Sequence, residues 1–335
     1  MKTYNVAVVG VGAVGQALLD LLNEHDFPVK QVKVLATSRS AGKQVQFKGR
    51  TLTVEETSPE SFEGVDIALF AGGGASKEFA KAAVDRGAVV VDNSSYFRMD
   101  PEVPLVVPEV NPDDVEWHKG IIANPNCSTI QMVVALKPIH EAAKIKRIVV
   151  STYQAVSGAG NEAINELREQ SSVSLNGGAV AHKVFPHQIA FNVLPQIDVF
   201  LENGYTKEEM KMVNETIKIL GDESIKLTAT TVRVPVFVGH SEAVNIETER
   251  KLTAVEARGI LASAPGIEVV DDPDKLLYPM PVDCVGLDTV FVGRIREDFT
   301  VENGLNLWVV SDNLRKGAAT NAVQIAELLV AKNLV

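Results

Sequence analysis

A glycine-rich segment near the N-terminus places the strongest constraint on the fold. The β-favouring apolar run at residues 5–10 leads into Gly10, Gly12 and Gly15, and residues 14–22 then carry apolar side chains at helical spacing. A strand, a tight turn and a helix in this order are typical of the unit that binds a dinucleotide pyrophosphate at the helix N-terminus. The motif therefore favours a dinucleotide site, and a glycine-rich turn without a ligand is the alternative.

The alternation of strand and helix continues through the first third of the chain. Short Val- and Ile-rich runs occur at residues 32–36, 67–71 and 88–92, and residues 77–86 have a helical pattern. Near-continuous apolar strands separated by helices indicate a parallel sheet with both faces covered. Loops rich in proline follow, and we place a domain boundary near residue 125.

The pattern changes after residue 125. Longer strand-like runs with fewer helices between them predict a mixed or antiparallel sheet. The amphipathic segment 317–330 is expected to pack back on the first domain. We therefore expect an α/β chain with an N-terminal Rossmann-type parallel-sheet domain and an α+β domain with a mixed sheet. The strand-like runs are residues 147–154, 225–238, 243–248 and 288–296, and the helical ones are residues 129–143, 162–170, 207–220 and 254–263.

Length and charge exclude several classes of function. The chain has 335 residues, more than the roughly 250–300 over which one core usually grows, so two domains are expected. The net charge is −11, and no run of Lys and Arg is present, which argues against nucleic-acid or anionic-membrane partners. No secretory signal or long apolar stretch is found, so a cytoplasmic location is expected. Two cysteines and no H-E-x-x-H motif predict no metal site.

The second strand indicates which dinucleotide is bound. The dinucleotide fingerprint expects an acidic residue there for the ribose hydroxyls, but the segment that follows the strand carries Arg39 and Ser40. An arginine suits a 2′-phosphate, which favours NADP over NAD, although an ordinary surface arginine would give the same sequence. The three glycines at 72–74 could line the same crevice or form a plain turn.

Cys127 is a candidate nucleophile. It lies where the loop ANPN leads into an apolar-periodic helix, and a thiolate at a helix N-terminus is stabilised by unpaired N–H groups. A lone cysteine is more often a small buried apolar residue. His240 closes the polar segment GHSE after an apolar strand that also carries Arg233. Each of these signals is weak by itself.

Taken together, these segments resemble a known family. The chain carries SYFR with Arg98, then PLVVPEVN, NPNCSTIQ, STYQAVSGAG, IAFNVLPQID, EEMK, VRVPVFVGHSE, FVGRIRED and SDNLRKGAA. Over essentially its whole length it closely resembles bacterial aspartate-β-semialdehyde dehydrogenases. The cysteine, glutamine and arginine/histidine blocks are far more specific than the glycine motif.

The resemblance implies a reaction and a role for each site residue. The reaction is the NADPH-dependent reductive dephosphorylation of L-4-aspartyl phosphate to L-aspartate 4-semialdehyde, a step of lysine (diaminopimelate), threonine and methionine biosynthesis, by a homodimer. The implied domains are residues 1–125 with the C-terminal segment 313–335 for the dinucleotide, and residues 126–312 for catalysis and dimerisation. The implied catalytic residues are Cys127 as the nucleophile that forms a thioester, His240 as the acid/base and Gln154 as an orienting residue. The implied substrate contacts are Arg233 for the α-carboxylate, Glu208 for the ammonium, and Arg98, Asn126 and Lys211 for the phosphate. The implied cofactor contacts are Gly10, Gly12, Ala13, Val14, Gly15, Arg39, Ser40, Ser157, Gly158 and Asn313.

The chain departs from the family pattern in two loops. The first loop reads GVGAVG, where family members usually carry one more residue, and the loop at 71–76 is also one residue short. Both changes lie where the cofactor phosphates are expected. The nearest rival is a related acyl-phosphate reductase of the N-acetyl-glutamyl-phosphate type, but Glu208 suits an ammonium and not an acetamide. A non-catalytic nucleotide-binding relative is disfavoured because the four residues Cys127, Gln154, Arg233 and His240 are all retained.

Overall fold

The computed structural model describes residues 2–335, which divide into two compact units. The first unit contains the chain up to Asn126 together with Ala318–Val335, and the second contains Cys127–Gly317. The strands are β1 (Tyr4–Val9), β2 (Val29–Ala36), β3 (Gln44–Phe47), β4 (Arg50–Thr53), β5 (Glu55–Glu56), β6 (Ile67–Phe70), β7 (Val89–Asp92), β8 (Ile121–Ala123), β9 (Ile145–Gln154), β10 (Lys226–Arg233), β11 (His240–Thr248), β12 (Ile267–Val269), β13 (Val290–Asp298) and β14 (Gly304–Ser311). The helices are α1 (Ala13–Glu24), α2 (Gly74–Val84), α3 (Cys127–Ala143), α4 (Asn161–Leu175), α5 (Lys207–Leu220), α6 (Ala254–Ala262), α7 (Pro281–Cys284) and α8 (Thr320–Ala331).

The first unit is built on a parallel sheet, as the apolar strand runs predicted. Its strand order is β5-β2-β1-β6-β7-β8, and every neighbouring pair is parallel. The chain runs outward from β1 in one direction through β2 and in the other through β6, so the strand order reverses between β1 and β6. Ligands of doubly wound sheets bind at the carboxyl ends of the strands at such a reversal.

The C-terminal helix completes the first unit. Buried residues of α8, including Val323 and Leu329, join the same apolar cluster as Leu18 and Leu22 of α1. The helix begins at Thr320, later than the predicted residue 317, because residues 315–319 form a π-helical turn. Residues 313–317, which the resemblance assigns to the first domain, lie in the second unit. Asn313 holds them there through hydrogen bonds to Ser157 and Gly239.

The second unit contains the predicted mixed sheet. Its order is β10-β9-β11-β14-β13-β12, in which β10 and β9 are parallel and β11 runs antiparallel to both β9 and β14. Two sequence predictions need correction. The strand predicted to reach residue 238 ends at Arg233, since Pro235 has no N–H to continue the ladder. Strand β14 was not predicted.

Helices cover one face of this sheet. Helix α3 packs on β9, β11, β13 and β14, and α5 packs beside it on β10. Because side chains alternate along a strand, the even-numbered residues of β9 from Ile148 onward and those of β11 point under these helices and are buried. Gln154 and His240 both belong to this face. Within residues 2–335, no helix combines the length and apolar character needed to span a bilayer.

Candidate active site

Cys127 is the first residue of α3, in the position that the sequence predicted. The chain reaches it from the buried strand β8 through Asn124, Pro125 and Asn126. Its half-buried side chain therefore lies at a helix N-terminus, where the backbone N–H groups favour a thiolate. Gly317 packs directly against it, since a Cβ on Gly317 would lie 3.1 Å from the Cys127 Cβ.

His240 opens strand β11 and is fully buried. Its Nδ1 accepts the backbone N–H of Ala155 at 3.0 Å, and its Nε2 has no hydrogen-bond partner among residues 2–335. Burial is the main cause that lowers the pKa of His240 to about 3, and the charge of the nearby Arg233 contributes to the same shift. The imidazole is therefore neutral at physiological pH, with Nε2 available to a substrate.

Arg233 ends β10 directly beside Gln154, its register partner on the parallel strand β9. Its Nη1 donates to the carbonyl of Ala155 at 2.7 Å, and the residue is buried. Burial lowers the pKa of the guanidinium, whereas the charges of Glu208 and Cys127 oppose that effect. An arginine that is this deeply buried and held on one side can offer its remaining N–H groups to an anionic ligand.

Gly158 leaves open space beside the Arg233 guanidinium and the His240 imidazole. A Cβ at this position would lie 2.9 Å from Arg233 Nη1 and 3.3 Å from His240 Nε2. The two nitrogens thus face the same small space, and a side chain at residue 158 would occupy it. This is a place where a carbonyl compound could meet a guanidinium and an imidazole together.

Gln154 and Glu208 extend the cluster toward α5. Gln154 Nε2 donates to Glu208 Oε1 at 3.2 Å, and Lys211 Nζ donates to Glu208 Oε2 at 2.9 Å and to Asp198 at 3.0 Å. A capping box between Thr206 and Glu209 begins α5 and places Glu208 in its first turn. Glu208, which forms this contact with Lys211, is only 5% exposed. The Glu208 carboxylate is therefore largely shielded from solvent.

Asn313 links three segments around the histidine. Its Oδ1 accepts Ser157 Oγ at 3.0 Å and the backbone N–H of Gly239 at 2.9 Å, next to His240. The Asp312 carboxylate accepts the backbone N–H groups of Leu314 and Arg315 and so orders the turn that carries Asn313. Ser157 and Asn313, which were predicted as cofactor contacts, are thus brought together within the second unit.

Several supporting residues were missed by the sequence reasoning. Gln131 of α3 donates to the backbone carbonyl of His240 at 3.4 Å and accepts Ser311 Oγ at 2.8 Å. Thr152 donates to Gln154 Oε1 at 3.0 Å. The sequence could have indicated Thr152, because alternate residues of a strand share one face and Thr152 therefore lies beside Gln154 on β9. Gln131 had no such signal, because its partners are more than 100 positions away.

The predicted cofactor turn lies in the first unit, at the carboxyl end of β1. Gly10 has φ +110°, a conformation that side chains rarely adopt, and a Cβ on Gly15 would lie only 1.9 Å from the Gly10 carbonyl oxygen. Gly12 caps α1, and a Cβ there would have no atom within 4 Å. The turn is therefore closed on its protein side and open outward from the helix N-terminus. These residues, with Ala13 and Val14 in the first turn of α1, fit a dinucleotide pyrophosphate.

Arg39 and Ser40 follow β2 at the same edge of the sheet. The register pairs Val9 with Leu35, so the turns after β1 and β2 leave the sheet side by side. Arg39 is exposed there, and the segment after β6 contributes Gly72 and Gly73, both with positive φ. Arg98 and Asn126 also belong to this unit. Both are buried, and Arg98 Nη2 donates to the Asn93 carbonyl at 3.0 Å.

Comparison with known proteins identifies the family. The family model for "Semialdehyde dehydrogenase, NAD binding domain" matches residues 5–118, and that for "Semialdehyde dehydrogenase, dimerisation domain" matches residues 136–316. The chain is 59% identical over 338 residues to the aspartate-semialdehyde dehydrogenase of Aquifex aeolicus, covering 99% of each. It is 56% identical over 344 residues to that of Bacillus subtilis, covering 100% of this chain and 99% of the relative.

Solved structures of similar proteins point to the same family. Aspartate semialdehyde dehydrogenase II of Vibrio cholerae complexed with ASA superposes with a TM-score of 0.96 at 52% identity, covering 99% of each chain. The enzyme of Candida albicans with NADP gives a TM-score of 0.77 at 28% identity, covering all of both chains. Both the fold and the resemblance noted in the sequence are thereby confirmed, and the chain belongs to the aspartate-semialdehyde dehydrogenase family.

Proposed function

We propose that this chain catalyses the NADPH-dependent reductive dephosphorylation of L-4-aspartyl phosphate to L-aspartate 4-semialdehyde. The observation that carries the proposal is the cluster in the second unit, where Cys127 at a helix N-terminus shares one site with His240, Arg233, Gln154 and Glu208. A nucleophile, a neutral imidazole, a guanidinium and a carboxylate are the groups that an amino-acid acyl phosphate requires.

Cys127 is the proposed nucleophile. Its thiolate attacks the acyl carbon, the carbonyl carbon–phosphate oxygen bond breaks, and a thioester on Cys127 results. When bound, NADPH supplies the hydride that reduces this thioester to the aldehyde level. Departure of the Cys127 thiolate then releases the semialdehyde, so the residue ends the cycle as it began.

The charged residues of the cluster fit the two ends of the substrate. Arg233 binds the α-carboxylate, and Glu208 binds the ammonium while Gln154 holds Glu208 Oε1 and the acyl group in place. Arg98 and Asn126 of the first unit, and Lys211 of the second, are proposed for the phosphate. Lys211 uses two of its three N–H groups on Glu208 and Asp198, which leaves one for an anion. Individually placed cations thus serve an anionic substrate in a chain of net charge −11.

Dinucleotide binding is proposed for the first unit and catalysis for the second. The cofactor would be held by the turn Gly10–Gly15, by Arg39 and Ser40 at the 2′-phosphate, and by Ser157, Gly158 and Asn313 at the catalytic end. NADP is favoured because Arg39 occupies the position at which NAD enzymes carry an acidic residue.

A homodimer formed through the second unit is also proposed. The face of the second sheet opposite α3 carries Tyr153, 40% exposed, and Trp308, with ring centroids 5.4 Å apart. Exposed aromatic rings on a sheet face are typical of a protein interface. A cytoplasmic location is proposed because Cys127 must stay reduced to act.

The test is a phosphate-dependent assay of the reverse reaction. Purified protein with aspartate semialdehyde, phosphate and NADP should produce NADPH, and omission of phosphate should stop it. The Cys127→Ala variant should be inactive while it still binds NADP, because the thiol supplies the nucleophile and little packing. Turnover by that variant would refute the covalent route. A preference for N-acetylglutamate semialdehyde would favour the rival acyl-phosphate reductase.

A further inference from the structure

A segment without helix or strand lies against the arginine proposed for the substrate carboxylate. Residues 181–193 contain neither element, and Leu194 then pairs with Arg233 as an isolated antiparallel bridge. The Leu194 N–H donates to the Arg233 carbonyl, and the Arg233 N–H donates to the Leu194 carbonyl, both at 2.9 Å. The ring of Phe185, from the same segment, has its centroid 6.0 Å from the guanidinium carbon of Arg233. The segment therefore contacts both the backbone and the side chain of this arginine.

Two side chains of α4 hold this segment in place. The Glu166 carboxylate accepts the backbone N–H groups of residues 183–185 at 2.8, 2.6 and 3.3 Å. One turn later, Gln170 Oε1 accepts the N–H groups of residues 189–190 at 2.9 and 3.1 Å. Gln170 Nε2 donates to Glu166 Oε1 at 3.2 Å and to the Ala181 carbonyl at 3.0 Å. Backbone groups that have no helix or sheet to join are thus satisfied by one buried face of α4.

Glu166 is the stronger of the two anchors. It is only 7% exposed, whereas the other charged residues of α4 are exposed. A buried carboxylate is costly unless donors surround it, and Glu166 accepts hydrogen bonds from three backbone N–H groups and from Gln170. Hydrogen bonds to a carboxylate are stronger than those to a neutral amide oxygen. Leu167 of the same helix and Leu194 belong to one apolar cluster, against which Phe185 packs. The carboxylate and this cluster together fix the segment on α4.

From these contacts we infer that Glu166 is a positioning residue for the proposed reaction. It acts on the orientation of the Arg233 guanidinium, through the segment that carries Phe185 and Leu194. The inference rests on the proposed function for the ligand of Arg233, which is the α-carboxylate of the amino-acid substrate.

The guanidinium needs this support because it binds a carboxylate in a fixed geometry. Arg233 Nη1 already donates to the Ala155 carbonyl at 2.7 Å, so the remaining N–H groups must meet the carboxylate. Two parallel N–H···O bonds form only when the guanidinium and the carboxylate are aligned. The Phe185 ring beside the guanidinium limits its rotation on that side. If the segment is released, the guanidinium can turn, and the substrate then binds in a shifted position relative to the nucleophile.

Steady-state kinetics of Glu166→Gln test the inference. The amide nitrogen of glutamine faces backbone N–H groups that can only donate, so hydrogen bonds to the segment are lost. We expect kcat/KM for aspartate semialdehyde to fall by about 10- to 100-fold, as a misplacement of up to about 1 Å can cause. The KM values for phosphate and NADP should stay at those of the wild type. Glu169→Gln is the control, because it removes the same charge from an exposed position of α4. A purely structural role would lower kcat and leave every KM unchanged, and that result would contradict the inference.

A double-mutant cycle shows whether Glu166 acts through the arginine. In an Arg233→Lys background the fork of N–H groups is absent, so the further substitution Glu166→Gln should cause little additional loss in kcat/KM. Equal losses in the two backgrounds would show that Glu166 acts elsewhere. Phe185→Leu keeps an apolar side chain in the cluster and removes the ring beside the guanidinium. It should raise KM for aspartate semialdehyde alone, and it tests the same pathway if Glu166→Gln does not fold.

Chemical modification of Arg233 separates this inference from the proposed function. Phenylglyoxal reacts with accessible guanidinium groups, and peptide mass spectrometry follows Arg233 in protein without substrate or cofactor. Arg233 is only 6% exposed, so it should react slowly in the wild type and in Glu169→Gln, and several times faster in Glu166→Gln and Phe185→Leu. A wild-type rate of modification in both of these variants would overturn the inference. A wild type that does not turn over aspartate semialdehyde with phosphate and NADP would instead refute the proposed function, and the modification rates would still show whether Glu166 holds the arginine.

Discussion

Replacement of Glu242 by glutamine is expected to abolish a loss of stability that the second unit otherwise undergoes as the pH rises. Glu242 is fully buried under α3, beside the side chain of Gln131. Burial raises the pKa of this carboxyl well above its ordinary value of 4.5, against a smaller opposing effect of the neighbouring Gln131. The folded protein therefore keeps a proton that the unfolded chain releases above about pH 4.5.

The sign of the effect follows from that difference. A raised pKa in the folded state gives a contribution to stability that is complete below the unfolded pKa and is lost as the pH rises toward the folded pKa. Each pH unit in this window costs about 1.4 kcal/mol. For a domain of this size, the loss corresponds to about 3–6 °C in Tm per pH unit within this window.

Thermal unfolding of wild type and Glu242→Gln at matched pH values measures the effect. Glutamine is neutral in both states, so the Tm difference between variant and wild type should grow with pH. Glu247→Gln is the control, because Glu247 lies on the same strand with its side chain on the opposite, partly exposed face, where it pairs with Lys146. A Tm difference for Glu242→Gln that does not change with pH would refute the reasoning, whatever its absolute size.

Four further substitutions test the proposed ligand contacts and the glycine turn. Arg233→Lys keeps a donor for the Ala155 carbonyl but cannot bind a carboxylate through two parallel hydrogen bonds. We therefore expect kcat/KM to fall by about 100-fold with a nearly unchanged Tm. Substantial activity together with a large loss of Tm would instead show that the residue is structural. Arg39→Ala should raise KM for NADP much more than for NAD in steady-state assays, and equal effects on both would contradict the 2′-phosphate contact. Gly15→Ala forces a Cβ to within 1.9 Å of the Gly10 carbonyl oxygen. It should lower the free energy of unfolding by about 1–3 kcal/mol and abolish NADP binding. Gly12→Ala is the control, because its Cβ would meet open space, and it should keep a normal Tm. Equal Tm values for these two glycine variants would show that the close approach does not constrain the turn.

Features that depend on neighbouring residues could be predicted from the sequence. The glycine turn, the helix that begins at Cys127 and the helix Lys207–Leu220 with its capping box all arise from interactions within a few positions along the chain. The apolar runs likewise predicted the parallel sheet, because strands covered on both faces need continuous apolar side chains. Even the likeness to one family was visible in short segments of the chain.

Tertiary structure decided what these segments do together. Strand register alone sets Arg233 beside Gln154, and only the folded chain brings the Ala155 N–H to Nδ1 of His240, 85 positions away. No local pattern encodes that contact. The burial of Glu242 has the same origin, because its environment is supplied by α3 and two partner strands that are distant in the chain. Local sequence thus determined which elements form and which reactive side chains they carry, whereas long-range pairing determined the protonation states and contacts on which the proposed chemistry depends.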